Sequence, residues 1–272
     1  MLAPCLYNGD NFYMPVPKAN YHEIAGTFDQ GRQLDQAVIN TWLGLVKEHG
    51  NLVPGSKILD LGCGTGRFAI PFAAELKLDT TGADAYSEML DVARDKPGGD
   101  LVDWDLQDAD DLQAYASNSF DAVFMSHLLH HVDSPEGVVA SSRRILRPMG
   151  ALLIRYGATE HILEDVEHKF FEGTTEIDAE RTLTTAATEA LLREQGFLRV
   201  KSEVVTQHTY SSAQDHVERA GTRFTSVLHL IPDEVFEKGL RNLAGYANQH
   251  PHDPWLVDDT LTLTVGYKPP AD

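Results

Sequence analysis

Cysteine and positive charge are what this sequence has little of. Only Cys5 and Cys63 occur in 272 residues, so no disulfide framework can form and no CxxC pair is present to seed a zinc site. Lys plus Arg number 22 against 41 Asp plus Glu, a formal charge of −19. A surface of that sign repels polyanions, which argues against nucleic acid and anionic membranes as partners. No run approaches the ~18 apolar residues that a spanning helix needs, and "MLAPCLYNGD" has neither the basic lead nor the apolar centre of a secretion signal. The expectation is a soluble, cytoplasmic, unprocessed protein. At 42% hydrophobic residues it can bury a full core, and one large domain is the default.

What is there alternates between strand and helix. "KILDLG" (57–62) is short, apolar and bounded by turn residues, as a buried parallel strand should be. "TGRFAIPFAAEL" follows as a helix, "LDTTGAD" (78–84) as a second strand, and "SEMLDVARDK" as a helix capped by Ser87. "LVDWDLQD" places Val102, Trp104 and Leu106 on one face of a third strand. "FDAVFMS" (120–126) is a fourth strand, and Ser134 and Pro135 open the next helix in the cap and first-turn positions that suit them. "ALLIRYG" (151–157) is the fifth strand, while "FLRVKSEVV" (197–205) and "TLTLTVGYK" (260–268) supply two late ones. This alternation predicts a Rossmann-like, doubly wound α/β sheet with helices on both faces. Within one domain spanning 1–272, residues 1–50 form lid helices, 55–206 and 258–268 the core sheet, and 207–257 a helical insert.

The most informative stretch is "ILDLGCGTGRF" (58–68), which puts three glycines into five positions where the first strand meets its helix. In an open parallel sheet that edge binds ligands, and glycine lets a ligand lie against bare main chain. The dinucleotide fingerprint G-x-G-x-x-G requires glycine at 67, where this chain has Arg67, and so an NAD-dependent oxidoreductase is the weaker alternative. The pattern is instead D-x-G-x-G-x-G from Asp60 to Gly66. A carboxylate in the loop suits a cationic ligand better than a pyrophosphate. Asp84 ends the second strand, where a carboxylate can accept both hydroxyls of a ribose. Sugar and cation together suggest a nucleoside cation.

These motifs resemble those of the class I S-adenosylmethionine-dependent methyltransferases, in the branch containing the ubiquinone and menaquinone methyltransferases. "ILDLGCGTGRF", "TTGADAYSEML", "DADDL" and "NSFDAVFMSHLLHHVDSPEGVVASSRRILRPMG" follow in that family's order and spacing over roughly residues 55–155. The resemblance implies a seven-stranded sheet with its last strand antiparallel, S-adenosylmethionine as cofactor, and methyl transfer to a small-molecule acceptor by in-line displacement. It further implies that Gly62, Cys63, Gly64 and Gly66 approach the methionine and ribose, and that Asp60 serves the amino group directly or through water. Asp84 would hold the ribose, with Ala85, Met89 and Ala109 beside the adenine. The adenine amino group would be met by Asp108 or, alternatively, by Asp105. Ser126 would face the methionine tail, and Tyr21 and Arg32 in "YHEIAGTFDQGR" would close over the cofactor. A homodimer is compatible with this family.

Histidine titrates near neutrality, and "HLLHHVD" offers His127, His130 and His131 beside the expected methyl position. His131 is the expected general base and His127 its companion, if the acceptor arrives protonated. The histidine spacing fits no zinc motif, so no metal is expected. Arg155 and Tyr156 leave the fifth strand toward the same crevice. A pocket that binds the cofactor without transferring its methyl, in a regulatory protein, is the other alternative. The acceptor and the methylated element are not encoded in these motifs.

Overall fold

A computed structural model describes residues 28–31, 34–255 and 257–271. Its sheet has seven strands in the order β3-β2-β1-β4-β5-β7-β6. They are β1 (Lys57–Leu61), β2 (Asp79–Asp84), β3 (Asp103–Leu106), β4 (Phe120–Ser126), β5 (Leu146–Tyr156), β6 (Leu198–His208) and β7 (Asp258–Tyr267). The first five run parallel, whereas β7 lies antiparallel to both β5 and β6. The expected seven-stranded sheet with an antiparallel last strand is therefore present.

Both faces of the central strands are covered, which is why those strands read as apolar runs rather than as alternating ones. On one face Leu59, Leu61, Val123 and Met125 pack with Val138 and Val139 of α4 (Pro135–Ile145) and with Leu191 and Leu192 of α6 (Thr185–Glu194). On the other, Ile58, Phe124 and Leu153 meet Trp42 and Val46 of α1 (Gln36–Gly50) and Phe72 of α2 (Ala69–Ala74). A separate apolar cluster built on Phe171, Tyr210, Phe236 and Trp255 lies under α7 (Ala213–Gly221) and α8 (Asp233–Gln249). The late insert thus brings its own core, along with the short α5 (Thr174–Arg181) that precedes the last strands.

Local chemistry sets several boundaries. Ser134 Oγ accepts from Gly137 N at 3.0 Å, the expected cap of α4. Ser87 is not a cap: it is the first residue of α3 (Ser87–Asp95), its cap position belongs to Tyr86, and its hydroxyl bonds Glu88 instead. α2 begins at Ala69 rather than at Thr65, because Gly64 and Gly66 hold φ of 53° and 78°, values a right-handed helix cannot use. Leu106 is 62% exposed at the end of the edge strand β3, so the proposed common face of Val102, Trp104 and Leu106 is only partly covered. β5 begins five residues earlier than expected, running straight on from α4 through "LRPMG" with Met149 at φ 66°.

Candidate active site

Two cavities open at the carboxyl ends of the parallel strands. The first, about 150 Å³, is walled by Gly62 and Gly64 of the loop, Asp84 and Ala85 at the end of β2, and Met89 of α3. Asp108 and Ala109 after β3 and Ser126 at the end of β4 complete it. The second, about 400 Å³, lies between the sheet edge and the later segments, bounded by Arg155, Gln207 and Asp259 from the strands and by residues 161–169 and 224–227. His127 and His131 belong to the walls of both.

The loop glycines have two separate reasons for being glycine. Gly62, Gly64 and Gly66 all hold positive φ. In addition, a Cβ on Gly62 would stand 2.7 Å from Leu128, and one on Gly66 would stand 2.6 Å from the Trp104 ring. Gly66 therefore makes room for a side chain of the protein and does not reach the first cavity, whereas Gly62 and Gly64 form its wall. Gly82 on β2 yields to the same indole, with 2.5 Å between its notional Cβ and the Trp104 ring.

The carboxylates sort by position. Asp84 accepts from Gly64 N at 2.8 Å and from Tyr86 N at 3.0 Å, which ties the end of β2 to the loop. Burial raises its pKa, against the pull of those backbone donors. A carboxylate has about four acceptor sites, so two remain for a neutral diol. Asp60 is buried below the loop, outside the wall of either cavity. Burial pushes its carboxyl up to about 7 and nearby Asp84 adds to this, against the N–H of Ala69 at the start of α2 and the charge of Arg67. Cys63 is likewise buried outside the cavities, packed with Ala69 and Leu90, and burial pushes its thiol up. Of the two candidates near β3, Asp108 lines the first cavity, while Asp105 accepts from Tyr115 Oη at 2.9 Å on the far side. Tyr21 and Arg32 lie outside the described residues.

The histidine loop is held in place by backbone bonds. His127 sits at φ 54° with its N–H on Arg155 O at 2.8 Å, and His131 N donates to Leu128 O at 2.8 Å. A left-handed histidine costs energy, a strain that functional sites tolerate. The rings of His130 and His131 are 4.0 Å apart. Asp110 accepts from Asp133 N at 2.8 Å and Ser134 N at 3.0 Å and so ties this loop to the β3 end.

Arg155 joins the two cavities. It is 1% exposed, donates to Ser126 Oγ at 3.0 Å and Gln207 Oε1 at 3.3 Å, and lies 4.5 Å from the centre of the Trp42 ring. Tyr156 turns the other way, to Thr264 Oγ1 at 3.0 Å, and is not in either wall. The remaining wall of the second cavity is rich in charge. Asp178 is paired with Arg181 at 2.7 Å, while Asp165 and Asp259 have raised pKa values because they are buried and, for Asp165, because other carboxylates crowd it. Gln207, Asp165, Arg181 and Asp259 carry no local sequence signal. Only their convergence in the fold reveals them. Among the described residues no group of three or more His, Cys, Asp or Glu is placed to hold a metal ion, and no helix is long and apolar enough to cross a membrane.

Residues 59–154 match the methyltransferase domain family. Methyltransferase GfsG of Streptomyces halstedii is 34% identical over 133 residues, which are 47% of this chain and 48% of that protein. The ubiquinone/menaquinone biosynthesis C-methyltransferase UbiE of Desulfotalea psychrophila is 30% identical over 138 residues, 50% of this chain and 56% of its own. The chain thus spans about half the length of the curated relatives it matches. Among solved structures, a putative methyltransferase from an antibiotic biosynthesis pathway of Anabaena variabilis superimposes with a TM-score of 0.72 over 86% of this chain and 98% of its own. At 22% identity that likeness concerns the fold.

Proposed function

The chain carries a class I S-adenosylmethionine-dependent methyltransferase domain, and from that premise we propose that it transfers a methyl group from S-adenosylmethionine, held in the first cavity, to a small polar acceptor held in the second. The observation that carries this reading is that His127 and His131 form the wall common to both cavities. Displacement at the methyl carbon, with the acceptor atom bonding as the carbon–sulfur bond breaks, needs acceptor, methyl and sulfur in line across one boundary, and the cavities adjoin there.

The first cavity suits the cofactor on its own features. Gly62 and Gly64 offer bare main chain, Asp84 keeps acceptor capacity for two ribose hydroxyls, and Ala85 and Met89 give an apolar flank for the adenine, with Asp108 at its edge. The cofactor supplies a methyl group on a sulfonium whose positive charge disappears during transfer. Asp60, raised toward neutrality beneath the loop, supports the loop rather than forming a wall of the cavity.

The protein's own contribution is mainly position and exclusion of water. Ser126, fixed by Arg155, marks the methionine end of the first cavity. His131 stands where it can take a proton from a hydroxyl, thiol or ammonium group of the acceptor, with His127 beside it. The charged wall of the second cavity favours a polar acceptor over a long apolar one, since burying those groups against hydrocarbon would leave them unsolvated. The test is a panel of phenols, thiols, amines and carboxylates with labelled cofactor. Release of S-adenosylhomocysteine with one polar class supports the proposal. Tight cofactor binding without turnover across the panel would favour the regulatory alternative.

A further inference from the structure

Gly62, Gly64 and Gly66 all hold positive φ, so the course of the loop is set by backbone conformations that side chains rarely adopt. Between Gly64 and Gly66 stands one residue with a functional side chain, Thr65, and it is gripped twice. Its hydroxyl donates to Asp29 Oδ1 at 2.6 Å, and its carbonyl accepts from Lys96 Nζ at 2.7 Å. Lys96 Nζ is in turn 2.5 Å from Asp29 Oδ2, which closes a three-membered clamp. Thr65 is 1% exposed, so the clamp acts on a buried handle.

Asp29 belongs to the four-residue turn Phe28–Gly31, far from the loop in sequence. Two residues on, Gly31 packs so closely on the insert that a Cβ there would stand 2.1 Å from Phe224 Cβ and 2.6 Å from Thr222 Oγ1. Gly31 and Phe224 both line the second cavity, and Gly64, next to Thr65, lines the first. One short turn therefore touches the loop at one end and the roof of the second cavity at the other.

We infer that Asp29 is a positioning residue: with Lys96 it pins the crest of the glycine loop through Thr65, so that cofactor retention depends on the Phe28–Gly31 turn staying docked between loop and insert. The inference rests on the first cavity being the cofactor site. It adds a reciprocal consequence, because any acceptor that presses Phe224 and Gly31 down tightens the cofactor, and the cofactor tightens the acceptor by the same factor.

The test is the rate at which S-adenosylhomocysteine leaves the intact chain in a stopped-flow chase, for wild type, Asp29→Asn, Lys96→Met, the double variant, Thr65→Val and Thr65→Ser. Loss of a charge-assisted bond predicts release about tenfold faster in Asp29→Asn, Lys96→Met and Thr65→Val. Release from the double variant should be little faster than from either single one, because the three groups act as a unit. Thr65→Ser keeps the hydroxyl and should restore the wild-type rate, which a purely steric role of Thr65 does not predict. Wild-type release from both Asp29→Asn and Lys96→Met, with normal binding, would overturn the inference while leaving the cofactor site intact. A wild-type chain that took up no S-adenosylhomocysteine would overturn the cofactor reading and this inference together.

Discussion

The two cavities differ in how they are assembled. The first is made at the ends of β1, β2, β3 and β4, where each strand contributes a residue or two within a short stretch of chain. The second draws on β5, β6, β7, the 159–170 region, α5 and the insert, whose contributing residues are scattered from Gly31 to Leu261. A ligand that every member of a fold must bind can be served by short motifs at strand ends. A ligand that varies is served by later segments laid over a constant scaffold.

This contrast can be broken most sharply at the loop. Gly64→Val places a branched side chain at φ 53° in the wall of the first cavity and should abolish cofactor binding, while the fold, read by circular dichroism, survives. Retained affinity would mean that the loop is not the cradle. At the shared wall, His131→Ala should lower kcat by about 10²-fold or more with cofactor affinity unchanged, the expected loss for a general base. If turnover persists, His131 is structural. Asp84→Ala should weaken the cofactor by about 1–3 kcal/mol, through unpaired hydroxyls and the lost bond to Gly64 N. It should leave acceptor KM unaltered at saturating cofactor.

An effect of another kind, on stability rather than on binding or turnover, concerns Asp60, whose carboxyl burial pushes up to about 7 from the ordinary value of 3.8. Between those pH values the folded chain binds more protons than the unfolded one, so the protonated group's contribution to stability is full below about pH 4 and lost as pH rises through 7. Asp60→Asn should flatten the fall in Tm across that window. An unchanged pH profile would show that Asp60 titrates normally and is better solvated than its burial implies.

Sequence legibility follows the same division. The glycine loop, Asp84, the Ser134 cap and the alternation of strands are local signals, each produced by residues a few positions apart, and the structure places them as such. Gly66 was readable as glycine but not as making room for Trp104, because that contact depends on how β3 docks beside β2. Strand alternation through Trp104 and Leu106 favours Asp108 over Asp105 in the sequence, with Asp105 as the alternative, but it does not say where β3 ends. The chain leaves the sheet after Leu106, which puts Asp108 in the cavity and Asp105 against Tyr115. Arg155 was visible as a charged residue at a strand end, yet its partners Ser126, Gln207 and Trp42 lie on three other elements. The carboxylates of the second cavity had no local signature as a group, since Asp165, Asp178 and Asp259 come together from segments far apart in sequence.

The central claim is that the loop between β1 and α2 cradles S-adenosylmethionine across from His131. Titration calorimetry of the intact chain with S-adenosylmethionine and with S-adenosylhomocysteine tests it directly. The account predicts saturable binding of both at one site per chain, absent in Gly64→Val and weakened in Asp84→Ala. No heat from either compound on folded protein, or equal binding by Gly64→Val, would contradict it.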